Sequence, residues 1–449
     1  MSLICINFAL IMGRRLKKKY KRMLYGIVAI TACIIILPKK CSCTSCSSNK
    51  DNIEQASQPR KHLNDSLTNE MSDCADIAEM DSVIKKYLRR WEINGAQLAI
   101  SSGDSLIYAK GFGWADKEQG VTMEPSHIMR IASVSKLVTA IGVMKLQEMG
   151  RVNLSDKVFG PQGILNDTAY TNVIKDKRYF DITVEQLLRH KAGFTNYAGD
   201  PMFSTRYIMM QNHLTVPPDH RTLLQIVLKR HLGYTPGSAQ RYCNIGYMLL
   251  SMIIEQRSGL KYEDFMRKMI LEPAGCFDFH IAGNYYADKR PNEVKYYMHQ
   301  GSEPVYEYNN SGRLVEKCYG ENDIPRLAGA GGWCASAAEL CRLVATVDGL
   351  PHVADILSKE SIATMTRQMP DHGFSIGWNF TNQGQPWVRT GSLSGTSAIV
   401  LRYPDGQCWV LITNTSTWKG HGFSHDTMAL FQKLRQKYGP KMPHRDLFI

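Results

Sequence analysis

The chain has 449 residues, of which 44% are hydrophobic and 21% charged, values that suit a globular protein with a substantial core. Its net charge of +13 is concentrated at the N-terminus, because the first 50 residues contain ten Lys or Arg and no Asp or Glu. A nucleic-acid-binding surface needs basic residues spread over a folded face. The charge distribution therefore argues against nucleic acid as a partner.

The N-terminus combines a basic run with an apolar stretch. Seven of the nine residues in Arg14–Arg22 are cationic, and the stretch Met23–Leu37 is largely apolar. This pattern predicts a signal or membrane anchor over residues 1–37, with the rest of the chain outside the cytoplasm, in a bacterial cell envelope. Within it, Ile30-Thr31-Ala32-Cys33 resembles a lipobox, which would make Cys33 a lipidation site. An uncleaved signal anchor is the alternative, and both remain open.

A polar segment follows the apolar stretch. Residues 38–77 are predicted to form a flexible tether, and residues 78–449 the folded domain. The tether contains Cys41, Cys43 and Cys46, but a structural zinc site needs four ligands and no further Cys or His lies nearby. We therefore expect no metal and no cofactor.

The strand patterns lie near the two ends of the domain. Residues 97–101 and 105–109 predict a hairpin that turns at Gly103-Asp104. Residues 397–402 and 407–413 predict a second hairpin around Pro404-Asp405-Gly406. Strands at both ends of a domain commonly meet in one antiparallel sheet, so the predicted class is α/β with a separate helical region.

Helical patterns fill the middle and the end of the domain. One helix is predicted from Val134 to Met149, before Gly150, and another from Ile245 to Arg257, behind Asn244 as its cap. Further helix starts are indicated by a capping box at Thr183-Val184-Glu185-Gln186 and by Ser424 as the cap of a final amphipathic helix.

The first chemical motif is Ser133-Val134-Ser135-Lys136. Residues three apart lie on one face of a helix, so Lys136 is predicted beside the Ser133 hydroxyl, where it can assist removal of the hydroxyl proton. The spacing alone is weak, because Ser-x-x-Lys also begins at Ser47, Ser82, Ser258 and Ser416. Only the copy at Ser133 opens a long apolar helix, which favours Ser133 as a nucleophile with backbone N–H groups close to it.

Two further motifs supply groups that such a serine needs. Tyr242-Cys243-Asn244 directly precedes a helix, so Tyr242 is a candidate general base and Asn244 a candidate partner for Lys136 and substrate. The run Arg389-Thr390-Gly391-Ser392 places a cation beside a strand glycine. The cation suits a substrate carboxylate, and the Ser392 N–H is a candidate oxyanion donor.

The order Ser-x-x-Lys, Tyr-x-Asn, then a basic residue followed by Thr-Gly resembles the signature of class C β-lactamases and related D-Ala-D-Ala peptidases and esterases. The resemblance covers roughly residues 80–438. Supporting segments include Arg130-Ile131-Ala132, Leu187-Leu188-Arg189-His190, Tyr234-Thr235-Pro236-Gly237, Gly331-Gly332-Trp333 and Gly373-Phe374-Ser375-Ile376-Gly377-Trp378.

The resemblance implies a five-stranded antiparallel sheet flanked by helices, beside an all-helical region, with the site between them. It further implies that an amide or ester acylates Ser133 and that water then hydrolyses the acyl-enzyme. Lys136 and Tyr242 would manage protons, Asn244 would orient the substrate, and the Ser133 and Ser392 amides would hold the oxyanion. The partners implied are small molecules or peptidoglycan peptides, including D-amino-acid peptides and β-lactams.

One position departs from the family pattern. Arg389 stands where such enzymes usually carry Lys or His, which keeps the positive charge but removes any group there that titrates near neutral pH. The departure, together with the predicted membrane segment, motivates an alternative function. The protein would then be a membrane-tethered penicillin-binding sensor or peptidoglycan-peptide binding protein with little or no turnover.

Overall fold

A computed structural model describes residues 62–197, 199–369 and 373–448. The predicted signal or anchor segment 1–37, with Cys33, lies outside the described residues, and so do the three clustered cysteines of the tether. Among the helices of the described ranges, none is both long enough and apolar enough to cross a bilayer.

The longer strands of the described chain lie near its two ends, and most of its helices lie between them. Its strands are β1 Gly95–Ser102, β2 Ser105–Asp116, β3 Val121–Thr122, β4 Met129–Arg130, β5 His280–Ile281, β6 Val305–Tyr306, β7 Leu314–Val315, β8 Trp333–Ala335, β9 Trp387–Leu393, β10 Thr396–Arg402 and β11 Cys408–Thr413. Its α-helices are α1 Leu63–Ser66, α2 Ala78–Arg90, α3 Ser135–Glu148, α4 Thr168–Thr171, α5 Val184–Leu188, α6 Thr205–Gln211, α7 His220–Leu228, α8 Asn244–Ser258, α9 Tyr262–Met266, α10 Ala328–Gly331, α11 Ala337–Ala345, α12 Lys359–Thr366 and α13 Phe423–Tyr438.

The central sheet has the strand order β3-β2-β1-β11-β10-β9, and its strand pairs are antiparallel. Strands from the two ends of the domain meet at its centre, where Leu98 of β1 lies opposite Leu411 of β11. The α/β class and the flanked antiparallel sheet are thus confirmed. The sheet has six strands instead of the predicted five, because the two-residue strand β3 adds to the outer edge of β2.

The first predicted hairpin has the turn that its sequence indicates. Gly103 and Asp104 both adopt positive φ values, of 51° and 67°. Two successive residues with positive φ give a turn whose twist matches that of the flanking strands. This turn sets the pairing of Ser102 with Ser105, and a register shift between Ile100 and Ser101 then brings Ala99 opposite Ala109.

Two hydrophobic clusters lie on opposite faces of the sheet. The smaller cluster joins the sheet to the terminal helices α2 and α13, with Ile84 and Phe431 fully buried. The larger cluster joins it to α11 and to a helical region built around α3 and α8. Helix α8 ends before Gly259, whose φ of 75° is the left-handed conformation that favours glycine at a helix end. The capping box at Thr183 is also present.

Two sequence predictions are corrected here. The final helix begins at Phe423 behind Gly422, and the Ser424 hydroxyl donates to the His421 carbonyl, so Ser424 lies in the first turn and is not the cap. The predicted tether is also too long. Its residues 62–77 contain short helical turns, and Leu63, Leu67 and Ile77 are buried against the domain. Burial of these apolar side chains holds the segment in place, although most of its other residues are polar.

Candidate active site

Ser133 lies on a 3-10 turn, Ala132–Val134, immediately before α3. The preceding residue, Ala132, adopts a φ of 47°, which is uncommon for a residue with a side chain. Strand β9 passes directly against this turn. A Cβ atom on Gly391 would lie 2.4 Å from the Ile131 carbonyl oxygen and 2.9 Å from the Ser133 nitrogen. Only glycine at 391 permits this approach, as expected where two backbones meet closely.

Lys136 is completely buried beneath the Ser133 hydroxyl. Its Nζ donates to Ser133 Oγ at 3.2 Å, to Asn244 Oδ1 at 2.7 Å and to the Ala330 carbonyl oxygen at 2.5 Å. An ammonium has three donors, so each of its hydrogens has an acceptor. Burial lowers the pKa of Lys136, helped by the Arg389 charge and opposed by Tyr242. The hydrogen bonds nonetheless suit the protonated amine.

Tyr242 faces the same hydroxyl from the start of α8. Its Oη donates to Ser133 Oγ at 2.7 Å, and its ring is packed against His190 and Phe374 at centroid distances of 4.6 and 5.8 Å. Burial acts to raise the pKa of Tyr242, but the positive charges of Lys136 and Arg389 outweigh it, so the pKa lies below its usual value. A phenol with a lowered pKa is suited to take a proton from Ser133.

His190 packs against the Tyr242 ring and binds the backbone next to it. Its Nδ1 accepts from the Cys243 backbone N–H at 3.3 Å, and its ring is buried against Tyr242 and Tyr247. Burial, with the Lys136 charge, holds the pKa of His190 well below its usual value. The neutral ring thus fixes the backbone that carries Tyr242.

Asn244 is the first residue of α8 rather than its cap, which corrects the sequence prediction. Its side chain bridges two charged groups, because Oδ1 accepts from Lys136 Nζ and Nδ2 donates to Asp200 Oδ2 at 2.7 Å. The same Asp200 oxygen lies 3.4 Å from the Asn244 backbone nitrogen. Asp200 therefore supplies the acceptor at this helix start and leaves the asparagine side chain free for Lys136.

Arg389 does not extend into the site as a carboxylate ligand. It is only 1% exposed, and its Nε donates to the Ser133 carbonyl oxygen at 2.8 Å, as does its Nη2. Side chains alternate along a strand, so Arg389 shares a face with Gly391, the residue that lies against the turn carrying Ser133. The side chain is therefore directed beneath Ser133, where it fixes the turn, and this geometry differs from the role predicted for it.

The remaining residues of the third motif border an open cavity of about 460 Å³. Ser133, Tyr242 and Asn244 line this cavity together with Thr390, Gly391 and Ser392. The Thr390 backbone N–H donates to Asn379 Oδ1 at 2.9 Å, which holds the strand in place. The part of the Ser392 amide as an oxyanion donor remains a prediction.

Aromatic side chains form part of the cavity lining. Phe203, Phe374 and Phe380 border the cavity, and so do His421 and His425 near the start of α13. An apolar wall beside a polar reaction centre favours ligands that carry an apolar group next to the reacting bond.

Comparison with known protein families agrees with this geometry. A model of the family described as Beta-lactamase matches residues 80–432, more than half of the chain. The chain belongs to the beta-lactamase family. This family assignment confirms the resemblance found in the sequence motifs, and the serine β-lactamases and penicillin-binding proteins form its wider superfamily.

Individual members of the family are distant from this chain. Penicillin-binding protein 4* of Bacillus subtilis is 25% identical over 330 residues, which cover 70% of this chain and 66% of that protein. A solved penicillin-binding protein homologue from Pyrococcus abyssi is 22% identical with a TM-score of 0.59, covering 80% of this chain and 77% of that one. D-amino acid amidase from Ochrobactrum anthropi SV3, complexed with L-phenylalanine, is 19% identical with a TM-score of 0.62, covering 80% and 99%. The two solved structures show a shared fold.

Several residues of the site were missed by the sequence motifs. Asp200 and the Ala330 carbonyl both contact the Lys136–Asn244 pair, and Phe203 lines the cavity. For Asp200 a local signal was available, since an Asp before Pro201 is typical of a helical N-cap, and Asp200 Oδ1 accepts from the Met202 N–H. That signal indicates a cap but not the contact with Asn244.

Proposed function

We propose that the protein is an extracytoplasmic serine hydrolase that forms an acyl-enzyme on Ser133 with amide or ester substrates. One observation carries the proposal. The Ser133 hydroxyl oxygen lies 2.7 Å from Tyr242 Oη and 3.2 Å from Lys136 Nζ, and it opens onto a cavity of about 460 Å³. A serine becomes a useful nucleophile when a base of suitable pKa is in hydrogen-bond range.

Acylation follows from the positions of these groups. With Tyr242 ionised and Lys136 protonated, Ser133 donates its hydroxyl hydrogen to the phenolate as its oxygen attacks the substrate carbonyl carbon. The carbonyl electron pair moves onto oxygen, and the Ser133 and Ser392 amides are the proposed donors to that oxyanion. Cleavage of the C–N or C–O bond then releases the leaving group, which takes the proton from Tyr242.

Deacylation reverses the proton transfers with water as the nucleophile. Tyr242, again ionised, takes a proton from water as the water oxygen attacks the acyl carbon. The bond to Ser133 breaks, and the serine oxygen recovers the proton. Lys136 stays an ammonium throughout, because its three acceptors suit the charged form and its charge keeps the phenolate accessible.

The proposed substrates are D-amino-acid peptides, β-lactams or small esters. The family membership and the D-amino acid amidase fold neighbour support this class. The aromatic residues Phe203 and Phe374 beside the catalytic groups support an apolar substituent close to the scissile bond. Location in the cell envelope, with access to peptidoglycan peptides, is proposed from the basic and apolar N-terminal sequence.

Replacement of Ser133 tests the proposal. The purified full chain is treated with a fluorescent penicillin or a fluorophosphonate, and labelling is followed on a denaturing gel. We expect Ser133→Ala to abolish labelling and turnover of a chromogenic ester. Ser82→Ala is the matched control, because Ser82 begins another Ser-x-x-Lys sequence but is exposed on α2. Labelling of Ser133→Ala at the wild-type rate would refute the assignment.

A second function is favoured by the position of Arg389. Because this arginine is buried against the Ser133 carbonyl, the third motif brings no cation into the cavity. A protein that acylates once and holds the acyl group would serve as a penicillin-binding sensor. A burst of one product equivalent per protein, followed by no further release, supports the sensor. Steady turnover after the burst supports the hydrolase.

A further inference from the structure

We propose that Asp200 is a positioning residue of the hydrolase, which fixes the Asn244 amide and, through it, the Lys136 ammonium. The inference rests on the proposed function, since it assigns a part in the same reaction to a residue outside the three motifs. Asp200 makes no hydrogen bond with Ser133 or Tyr242 in the described chain, so its effect passes through Asn244.

Hydrogen-bond polarity determines the orientation of the amide. A carboxylate only accepts hydrogen bonds and an ammonium only donates them. Asp200 Oδ2 therefore pairs with the Asn244 Nδ2 end, at 2.7 Å, and Lys136 Nζ pairs with the Oδ1 end, also at 2.7 Å. A 180° rotation of the amide would place its N–H₂ group against the ammonium. With Asp200 in place, only one of the two amide orientations satisfies both neighbours.

The carboxylate itself is held in a fixed direction. Asp200 Oδ1 accepts from the Met202 N–H at 2.9 Å, and Pro201 sets the backbone that follows. The turn Pro201–Phe203 also carries Phe203 into the cavity wall. One short segment thus connects the substrate-facing wall with the group that holds the catalytic lysine.

The charge of Asp200 favours the protonated form of Lys136, which its hydrogen bond to Asn244 also supports. Burial lowers the pKa of Lys136, whereas the negative charge of Asp200 raises it. Without that charge, Lys136 would lose its proton at a lower pH. The phenolate of Tyr242 would then lose the positive charge that stabilises it.

A double-mutant cycle separates positioning from a purely structural role. The rates of Ser133 acylation are compared for the wild-type full chain, Asp200→Asn, Asn244→Ala and the double variant. In the wild-type background we expect Asp200→Asn to slow acylation by about tenfold to a hundredfold, as misplacement of catalytic groups does. In the Asn244→Ala background we expect less than a further twofold loss. Equal losses in both backgrounds would refute the proposal.

A matched control tests the loss of a capping carboxylate charge elsewhere in the chain. Asp219 caps α7 by accepting from the Thr222 N–H, away from the catalytic cavity. Asp219→Asn should leave the acylation rate within twofold of wild type. An equal loss in the Asp219 and Asp200 variants would show that loss of a capping carboxylate charge in general, and not the amide orientation, slows the reaction.

The Lys136 titration provides a readout that does not need turnover. It is followed by NMR of the full chain with ¹³C-labelled lysine, and the Lys136 signal is assigned through Lys136→Arg. We expect Asp200→Asn to lower the Lys136 pKa and Asp219→Asn to leave it unchanged. An unchanged Lys136 pKa in Asp200→Asn overturns the inference. Absence of Ser133-dependent acylation in the wild type, with the shift present, overturns only the proposed function.

Discussion

Two buried polar clusters in this protein each contain a tyrosine but differ in the group that accepts its hydrogen bond. In the site, Lys136 and Tyr242 both donate to the hydroxyl of Ser133. In the second cluster, beside the β4-β8-β5 sheet, Tyr296 Oη donates at 2.7 Å to one carboxylate oxygen of Glu293. The donors thus converge on a neutral hydroxyl, the proposed nucleophile, in one cluster and on a carboxylate in the other.

The second cluster is buried, and its polar side chains bind one another. Cys334 Sγ lies 3.4 Å from Glu293 Oε1, and His280 Nε2 lies 3.4 Å from Glu293 Oε2. Burial acts to raise the pKa of Glu293, but hydrogen bonds from His280 and Tyr296 outweigh it and keep that pKa below its usual value. Burial and the nearby Glu293 charge hold the pKa of the Cys334 thiol well above the usual value for cysteine. The side chains of this cluster are thus explained by structural hydrogen bonding. Reactivity requires, in addition, an oxygen that opens onto a cavity, as Ser133 does.

The largest difference in kcat is expected when the phenolic hydroxyl of one tyrosine is removed from each cluster. Tyr242→Phe should lower kcat by about a thousandfold, because general acid–base catalysis contributes roughly that much, while the ring contacts remain. Tyr296→Phe should leave kcat nearly unchanged and destabilise the fold by about 1–3 kcal/mol, because buried partners lose a hydrogen bond. Ester turnover and urea unfolding measure the two effects. Comparable losses of kcat in both variants would contradict the distinction.

The pH dependence of acylation tests the charge states assigned to the site. The reaction needs Tyr242 ionised and Lys136 protonated, and both pKa values lie below their ordinary values of 10.0 and 10.5. The rate should therefore rise as pH increases through the pKa of Tyr242, which lies below 10.0. It should fall as pH increases through the pKa of Lys136, which lies below 10.5. A stopped-flow series with a fluorophosphonate measures this profile. A rate that still increases at pH 10.5 would be inconsistent with a protonated lysine in the active form.

A smaller loss of activity is expected from separating β9 from the Ala132–Val134 turn that carries Ser133. In Gly391→Ala the new methyl group meets the Ile131 carbonyl, so the strand must shift and kcat should fall by about tenfold to a hundredfold. Gly422→Ala is the control, because a Cβ atom there has no neighbour within 4 Å. Both are measured by ester turnover. Full activity of Gly391→Ala would show that the close approach is dispensable.

The smallest effect on activity is expected at Glu339, because its titration concerns stability alone. Burial raises the pKa of Glu339 to about 7 from an ordinary 4.5. Its stabilising contribution is therefore complete below pH 4.5 and is lost as pH rises through about 7, a change of about 3 kcal/mol. Glu339→Gln should remove this dependence in urea unfolding at pH 4.5 and pH 8. The carboxyl of Glu293 has a lowered pKa, so Glu293→Gln should remove a dependence of the opposite sign, which lies below pH 4.5 and is measured in the acidic range. The same change in both variants would contradict the assignment.

Local sequence patterns predicted the main helices and strands, but they did not predict where every side chain would be directed. The Gly103-Asp104 turn, the helix stop at Gly259 and the approach of Lys136 to Ser133 depend on neighbours within a few residues, so the sequence indicated them correctly. The role of Arg389 depends on how closely β9 approaches a distant turn. No local pattern reports that distance.

The same limit explains the omission of Asp200. Its cap signal is visible in the sequence, but its contact with Asn244 spans 44 residues and depends on tertiary packing. Tyr242 was found because it belongs to a motif whose order along the chain is distinctive. Asp200 has no such motif, and only the assembled site shows what its second oxygen contacts.

The central claim is that acyl transfer occurs at the Ser133 hydroxyl, to which both Lys136 and Tyr242 donate. Its most direct test is peptide mapping by mass spectrometry after the full chain reacts with penicillin. We predict a single adduct, carried by the peptide that contains Ser133, and none in Tyr242→Phe over the same reaction time. An adduct on any other serine, or an unmodified Ser133 peptide after complete labelling, would contradict the account.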